Sequence, residues 1–266
     1  MYKFLTLTDF GAIFYDQIIT LQKKVVVVLV ALACLIPKQS IGQYNLNTTR
    51  ETILLGTGVG LTTTGYLFLS KYPKLSDQQV ADFYQTPKDF TFKFDRWATQ
   101  QSSKKAKKWS DVLLFTAIVP PLVLLFDPPK VDDVRRTQGI MLLQTTLLNW
   151  GVTNIAKRTA RRPRPYMYHD DLFNFPMTTR RKSNSRQSFF SGHTSTTAAF
   201  YFFTATTFSQ YRPDSQWKPY VWGTSIAVPA LTGFLRVKAG KHFPTDVLVG
   251  YAVGALVGVL IPKIHK

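Results

Sequence analysis

The chain reads Arg236-Val-Lys-Ala-Gly-Lys-His-Phe-Pro-Thr-Asp246 immediately before an uncharged run, residues 247–262. Pro244 suits the first turn of a helix, where its missing N–H costs nothing. Three glycines repeat at every fourth position of the run, a small-xxx-small face that lets helix backbones approach closely in lipid. These are Gly250, Gly254 and Gly258. The stretch therefore predicts a basic turn that enters a closely packed, membrane-spanning helix.

This stretch also carries candidate chemistry. Asp246 follows His242 by four residues, so its carboxylate can reach the imidazole across one helical turn. An Asp–His pair fixes the tautomer and makes the other ring nitrogen a better nucleophile. Arg236 adds a guanidinium suited to phosphate oxygens. The alternative interpretation is a capping aspartate beside an interfacial histidine.

Five further uncharged stretches precede this one, and most have the length of a membrane-spanning helix. The first is rich in Thr and Gly, and the second is short with two adjacent prolines. Together the six predict an all-α, membrane-embedded bundle of about six helices, although the buried helices of a soluble α-domain share the pattern. The five are residues 52–70, 112–126, 139–156, 187–211 and 219–235.

The net charge of the chain indicates which class of ligand it favours. The 266 residues include 33 Lys and Arg against 15 Asp and Glu, a formal net charge of +18. Such a chain favours anions, whether phosphate esters, anionic lipid or nucleic acid. If all six stretches span, the three basic loops lie on one face of the membrane. The single cysteine, Cys34, excludes an internal disulfide.

The N-terminal part resembles a targeting segment. Lys23 and Lys24 precede an apolar run from Val25 to Ile36, which is short for a span and typical of a signal-peptide core. We therefore expect residues 1–42 to be a signal peptide or an uncleaved N-terminal anchor. Residues 43–266 would then form the functional domain.

Two other segments could also bind an anion. The segment from Lys157 to Pro165 ends the third stretch and includes Arg164; alone it indicates no more than a positively charged anchor or a nucleic-acid patch. Ser191-Gly192-His193 opens the fourth helix, with Ser191 as a good N-cap and Gly192 permitting close approach by a ligand. The free N–H groups there would bind an anion, beside which His193 could act as a general acid.

The three sites together resemble the signature of the type-2 phosphatidic acid phosphatases, relatives of bacterial acid phosphatases and vanadium haloperoxidases. That signature is K-x6-R-P, then P-S-G-H, then S-R-x5-H-x3-D, and its order and internal spacings agree here over roughly residues 50 to 262. Phe190 replaces the motif proline, and Leu235 replaces the motif serine. Neither change removes a nucleophile, an acid or a guanidinium.

The resemblance implies a two-step mechanism. His242 would attack phosphorus and form a phosphohistidine, oriented by Asp246, while His193 protonates the leaving oxygen and then activates water. The phosphate ligands would be Lys157, Arg164, Ser191, Gly192 and Arg236. Catalysis would be positioning and electrostatic stabilisation. We expect no metal and no other cofactor, because the remaining His and carboxylates lack metal-ligand spacing.

The expected substrate is a lipid phosphate or prenyl pyrophosphate, handled at the bacterial inner membrane with the site towards the periplasm. Membrane lipids are expected partners and nucleic acid is not. Two alternatives stay open at this point. One is a soluble periplasmic acid phosphatase of the same superfamily, and the other is a basic protein that binds anionic lipid or nucleic acid without catalysis.

Overall fold

A computed structural model describes residues 44–67, 73–86, 92–126 and 132–266. The secondary structure in these ranges is helical, with no strand, which confirms the all-α expectation. The described residues fall within one compact unit. The expected signal peptide or anchor over residues 1–42 lies outside the described residues.

Nine α-helices make up the described part of the chain, joined by turns and three short 3-10 helices. The α-helices are α1 (Thr48–Leu67), α2 (Asp77–Gln85), α3 (Lys104–Thr116), α4 (Val119–Phe126), α5 (Asp132–Ala160), α6 (Met177–Arg180), α7 (Gly192–Tyr211), α8 (Lys218–Lys238) and α9 (Pro244–Ile264). The 3-10 helices are Arg96–Gln100, Pro165–Tyr168 and Ser183–Arg186. Each of the six uncharged stretches coincides largely with one or two of these helices.

The second uncharged stretch is divided between two helices. Helix α3 begins eight residues before residue 112, capped by Ser103, whose hydroxyl accepts from the Ala106 N–H at 3.2 Å. It ends at Thr116, and α4 then begins with Pro120 and Pro121 in its first turn. Proline has no N–H to give to an intrahelical bond, so this first turn is the place where a helix tolerates it.

Helix α7 lies at the centre of the bundle and packs on α8, α9, α5, α4 and α3. Its closest neighbour is α9, and the glycine face of α9 makes that contact possible. A Cβ added at Gly254 would lie 2.0 Å from the Ser195 carbonyl oxygen, and one at Gly258 would lie 2.4 Å from that of Ala199. The predicted role of the small-xxx-small face in close helix packing is confirmed.

The turn between α8 and α9 sets the direction of the chain within the segment from Arg236 to Asp246, the third motif in chain order. Gly240 has φ of +65°, in the left-handed region that ends many helices, and a Cβ there would lie 2.1 Å from the Gln101 carbonyl oxygen. The Lys241 N–H returns to the Arg236 carbonyl at 3.1 Å. This turn brings His242 against the end of α8 and lets α9 begin at Pro244.

The other end of α9 is held by a buried polar cluster. His265 contacts Glu51 of α1, with Nε2 2.8 Å from Oε2, and its Nδ1 lies 2.7 Å from the Ile261 carbonyl oxygen. Gln144 of α5 donates to the same Glu51 oxygen at 2.6 Å. The cluster joins α1, α5 and α9 at the end of the bundle away from His242.

Two helical segments of the described residues are long and apolar enough to cross a membrane, by length and composition. They are Lys104–Phe126 and Pro244–Ile264.

Candidate active site

The C-terminal ends of α5 and α8 meet the N-terminal ends of α7 and α9, and the three sequence motifs lie at this junction. The Ser191 N–H donates to the Asp246 carbonyl at 3.0 Å, which joins the second motif to the third. The Arg164 guanidinium reaches His242, which joins the first to the third. Direct contacts thus link residues that stand up to about 80 positions apart in the chain.

His242 is fully buried and both of its ring nitrogens are engaged. Nδ1 lies 2.8 Å from the Ser188 carbonyl oxygen, which can only accept, so the proton sits on Nδ1. Nε2 lies 3.1 Å from Nη1 of Arg164, which can only donate. The two contacts select the tautomer in which Nε2 carries a lone pair directed at the cationic cluster, as a nucleophile requires.

The surroundings also keep this ring uncharged. Burial lowers the pKa of His242 well below 6.5, and the cations of Arg164, Arg236 and Lys157 lower it further. At neutral pH the ring is therefore free to attack without first losing a proton.

Asp246 does not hydrogen-bond the His242 ring. Its Oδ2 lies 3.8 Å from Nδ1, beyond hydrogen-bond distance, whereas one-turn spacing led us to expect direct contact. That oxygen instead accepts from the Phe243 N–H at 2.9 Å and from the Ser188 hydroxyl at 2.5 Å. Because Ser188 also offers its carbonyl to His242, Asp246 holds the imidazole through Ser188.

A second carboxylate supports Asp246 through an arginine. Arg162 donates to Asp246 Oδ1 at 2.6 Å and to Asp95 Oδ2 at 2.7 Å, with its guanidinium 4.2 Å from the centre of the Phe243 ring. Asp95 also accepts from the N–H and the hydroxyl of Thr245. The start of α9 is thereby fixed by Asp95, the residue that precedes the 3-10 helix Arg96–Gln100 far upstream in the chain.

Arg164 is buried, and contacts with Asn184, Lys241 and His242 hold its guanidinium in one orientation. Nε and Nη2 donate to the backbone and side-chain oxygens of Asn184, both at 2.8 Å, and Nη1 donates to the Lys241 carbonyl at 2.8 Å. Its contact with His242 Nε2 faces the cluster. A guanidinium fixed in this way loses little side-chain conformational entropy when it binds an anion at the same point.

The N-terminus of α7 adds neutral donors and a lysine. Ser191 is the N-cap, its hydroxyl accepting from the Thr194 N–H at 3.4 Å. A Cβ added at Gly192 would lie 3.0 Å from Nζ of Lys157, so the glycine leaves the lysine room beside the helix end. Backbone N–H groups, the helix dipole and an ammonium together form a site for an oxyanion.

His193 and Arg236 meet at a carboxylate that the sequence did not point to. Nε2 of His193 lies 2.8 Å from Oδ1 of Asp111, and Nη1 of Arg236 donates to the same oxygen at 3.2 Å. Buried Nε of Arg236 has no hydrogen-bond partner among the described residues. An unsatisfied buried donor is costly, and the oxygen of a bound phosphate would satisfy it.

Lys241 extends the cationic cluster. Its ammonium lies 4.5 Å from the centre of the Tyr166 ring and 4.9 Å from that of Phe175, and these two rings stack on each other. Burial, together with the charges of Arg164 and Arg236, lowers the pKa of Lys241 to about 7. The charge of this lysine therefore responds readily to an anion beside it.

Sequence reasoning missed the residues that support these groups. They are Asp95, Asp111, Arg162, Asn184 and Ser188. Arg162 lies in the basic first motif and was visible there as one cation among several. Asp111 carried no signal, because only the packing of α3 against α7 and α8 brings it to the site.

Among the described residues, no group of three or more His, Cys, Asp or Glu side chains is arranged to hold a metal ion. The charged groups around His242 are mainly lysine and arginine.

Comparison with known proteins places this geometry in context. The model of the PAP2 superfamily matches residues 138–266, which include all three motifs. A lipid A 4'-phosphatase of Porphyromonas gingivalis is 28% identical over 59% of this chain and 62% of its own length. A lipid A 1-phosphatase of Rhizobium johnstonii is 32% identical over 46% of each chain. The chain thus spans less than two thirds of the length of these curated relatives.

One solved structure is also similar in fold. It is described as the first transmembrane PAP2-type phosphatidylglycerolphosphate phosphatase, from Bacillus subtilis. The match covers 82% of this chain and 96% of that one, with 19% identity and a TM-score of 0.47.

Proposed function

We propose that this chain, whose residues 138–266 match the model of the PAP2 superfamily, is a membrane phosphatase that removes phosphate from a lipid through a phosphohistidine. One observation carries the proposal. His242 is a buried, neutral imidazole whose Nε2 lone pair faces a cluster of fixed cations. A phosphoryl group held by those cations would be in place for attack.

In the first step, Nε2 of His242 attacks phosphorus and the bond from phosphorus to the lipid oxygen breaks. His193, as an imidazolium, gives its Nδ1 proton to that oxygen while its Nε2–H stays hydrogen-bonded to Asp111, so the lipid leaves as a neutral alcohol. The Nδ1 proton of His242 stays hydrogen-bonded to the Ser188 carbonyl, so the positive charge that develops on the ring is partly compensated. Asp246 strengthens that compensation through Ser188.

In the second step, water attacks the phosphohistidine and His193, now neutral, takes a proton from it. The N–P bond breaks, orthophosphate forms and His242 regains its lone pair. His193 ends the cycle protonated and ready for the next substrate. Each histidine thus returns to its starting state without an external reactant other than water.

The phosphate oxygens are held by groups of three kinds. Arg164 and Arg236 supply guanidinium donors, Lys157 supplies an ammonium, and Ser191 and Gly192 supply the end of α7. Such preorganised donors act most strongly where negative charge develops and water is excluded. The burial of His242, Arg164 and Arg236 provides that environment.

The names of the relatives guide the choice of substrate. Because they are lipid A phosphatases, a phosphate monoester on a glycolipid headgroup is the first substrate to test. Prenyl pyrophosphate is the second, since the same cations can hold a terminal phosphoryl group. Both carry the reacting phosphate at the surface of a membrane.

Exposed apolar side chains support a place in the membrane. Large ones are exposed along α3, α4, α8 and α9, and a contiguous exposed apolar surface is typical of a contact with lipid or with another protein. They include Phe115, Val123, Phe126, Ile226, Leu231, Leu248, Leu256 and Leu260. We place the protein in the bacterial inner membrane, with His242 towards the periplasm.

The test is phosphate release by the purified full chain from lipid A phosphate, phosphatidic acid and prenyl pyrophosphate, with His242→Ala as the control. We expect wild-type turnover of at least one lipid and none by the variant. Binding of phosphate without turnover of any substrate would instead favour an anion-binding protein. Turnover restricted to water-soluble esters would favour an acid phosphatase.

A further inference from the structure

We propose that Asp111 is a positioning residue that holds His193 for proton transfer to the leaving oxygen. The proposal rests on the function proposed above and adds a residue that lies outside both the three motifs and the matched range 138–266. Two hydrogen bonds to the site carry it.

The Asp111 carboxylate bridges two groups of the proposed cycle. Its Oδ1 lies 2.8 Å from Nε2 of His193 and accepts from Nη1 of Arg236 at 3.2 Å. Since a carboxylate only accepts, Nε2 of His193 carries a proton in this contact. The bridge fixes the ring orientation of His193 relative to a guanidinium that binds phosphate.

The position of Asp111 is set by the packing of its helix. Helix α3 lies against α8 and α7. Its N-cap residue Ser103 donates its N–H to the Lys238 carbonyl at 3.0 Å, which ties the start of α3 to the end of α8. The neighbouring Ser110 is fully buried and its hydroxyl accepts from Arg236 at 3.3 Å. The carboxylate is therefore held by rigid elements, as precise positioning requires.

The negative charge of Asp111 explains what its contact with His193 could do. A general acid must carry its proton before the reaction, yet the groups around His193 are mostly cations, which disfavour an imidazolium. A carboxylate within hydrogen-bond distance opposes them and stabilises the protonated ring. The charged and titratable groups around the Asp111–His193 pair are Lys107 on α3, Lys157 on α5, Arg236 on α8, and Lys241 and His242 in the turn after it.

The same carboxylate is unfavourable for substrate binding, because it repels the phosphate that Arg236 attracts. A residue kept for binding alone would not be acidic here. The proposal therefore predicts that turnover is impaired while substrate binding is not. Removing the charge should lower kcat where protonation matters, while KM stays the same or falls.

The experiment compares wild type, Asp111→Asn and Asp111→Glu in the full chain with two substrates. One is an alkyl phosphate, whose leaving oxygen needs a proton, and the other is p-nitrophenyl phosphate, whose leaving group does not. For Asp111→Asn we expect kcat on the alkyl ester to fall about 10- to 100-fold, part of the 10²–10⁴-fold typical of general acid catalysis. On the aryl ester it should stay within about threefold, and Asp111→Glu should recover part of the loss.

Two further readouts separate positioning from a merely structural role. The alkaline limb of the pH–rate profile for the alkyl ester should move to lower pH in Asp111→Asn, because the imidazolium loses its stabilising partner. In a double-mutant cycle, Asp111→Asn should add little to the loss in His193→Ala, since both act on one proton transfer. Asp82→Asn, which removes an exposed carboxylate of α2, is the matched control and should change neither constant.

Equal losses on both esters, or full additivity with His193→Ala, would overturn the positioning role. So would tighter phosphate binding with kcat unchanged, which would make Asp111 an internal competitor for the phosphate site. Unaltered kinetics in Asp111→Asn would remove any role. Absence of turnover in the wild type would instead remove the proposed function, and the role of Asp111 with it.

Discussion

At the scale of single residues, His242 and His193 differ in what their ring nitrogens contact. Nε2 of His242 keeps a lone pair beside Arg164, whereas Nε2 of His193 holds a proton against Asp111. We predict that His242→Ala abolishes phosphoenzyme formation and turnover together. His193→Ala should lose about 10²–10⁴-fold with an alkyl phosphate and much less with p-nitrophenyl phosphate. Rapid-quench labelling with radiolabelled substrate follows both steps.

His193→Ala should also accumulate acid-labile phosphoenzyme from p-nitrophenyl phosphate, because water is poorly activated in the second step. A phosphohistidine formed by His242→Ala but not by His193→Ala would reverse the two roles. If neither substitution mattered, the catalytic interpretation of the three motifs would have to be abandoned.

Lys241 gives a pH-dependent prediction at the same scale. With its pKa lowered to about 7, most of this lysine is neutral at pH 8. A phosphate bound beside it favours the charged form, so binding should take up close to one proton at pH 8 and much less at pH 6, where the lysine is already charged. Calorimetry of orthophosphate binding in buffers of different ionisation enthalpy measures this uptake.

Proton uptake by Lys241→Met should be smaller than that of the wild type by close to one proton at pH 8 and by much less at pH 6. Comparing the two proteins at the same pH cancels the ionisation of phosphate itself. Lys238→Met is the matched control, since Lys238 stands over the ring of Trp97 instead of the site. Identical proton uptake in wild type and Lys241→Met would contradict the prediction.

At the scale of elements, the contact between α7 and α9 depends on the absence of side chains at the glycine face. We predict that Gly254→Ala destabilises the protein by about 1–3 kcal/mol, because its Cβ would meet the Ser195 carbonyl oxygen at 2.0 Å. Gly56→Ala in α1 is the control: its Cβ would meet nothing within 4 Å, and alanine is the better helix former by about 1 kcal/mol. Thermal unfolding in detergent measures both, and equal midpoints would contradict the prediction.

Helices and their close packing were largely predictable, because apolar runs and the glycine spacing are local features of the sequence. The end of α3 at Thr116 was not predictable, because residues 112–126 form one uncharged run. The break between α3 and α4 depends on backbone bonding around two prolines. The start of α3 was also missed. Its first turn is Lys104 to Lys108, which reads as a charged loop until Ser103 is seen to cap it.

At the scale of the whole molecule, the exposed apolar faces of α3, α4, α8 and α9 predict firm membrane association. The protein should stay in the membrane fraction after high-salt and carbonate washing, and immunoblotting of the fractions measures this. Quantitative release by carbonate would favour the soluble phosphatase.

The composition of the site predicts how the molecule responds to chelators. Because the proposed cycle runs on His, Lys and Arg side chains, phosphate release should survive EDTA. Vanadate, which resembles five-coordinate phosphorus, should inhibit it. Loss of activity on chelation that a divalent ion restores would contradict the mechanism.

The eight candidate site residues were readable from three short motifs, since their types and spacings are local. Their long-range partners were not. Asp246 was expected to contact His242 directly, but the backbone N–H of Phe243 and the Ser188 hydroxyl draw its carboxylate away. Asp95 and Asp111 reach the site only through tertiary packing, which no spacing in the sequence encodes.

The positions of Asp95 and Asp111 in the chain decide which segment could be transferred to another protein as a working unit. Both precede residue 138, where the match to the PAP2 superfamily begins. A minimal fragment cut at that boundary, or a chimera that grafted residues 138–266 onto another protein, would keep every motif. It would leave His193 without Asp111, and it would leave Arg162 with Asp246 but without Asp95. The functional unit of the proposed phosphatase is therefore longer than its recognisable signature, and residues 92–126 have to be exchanged together with it.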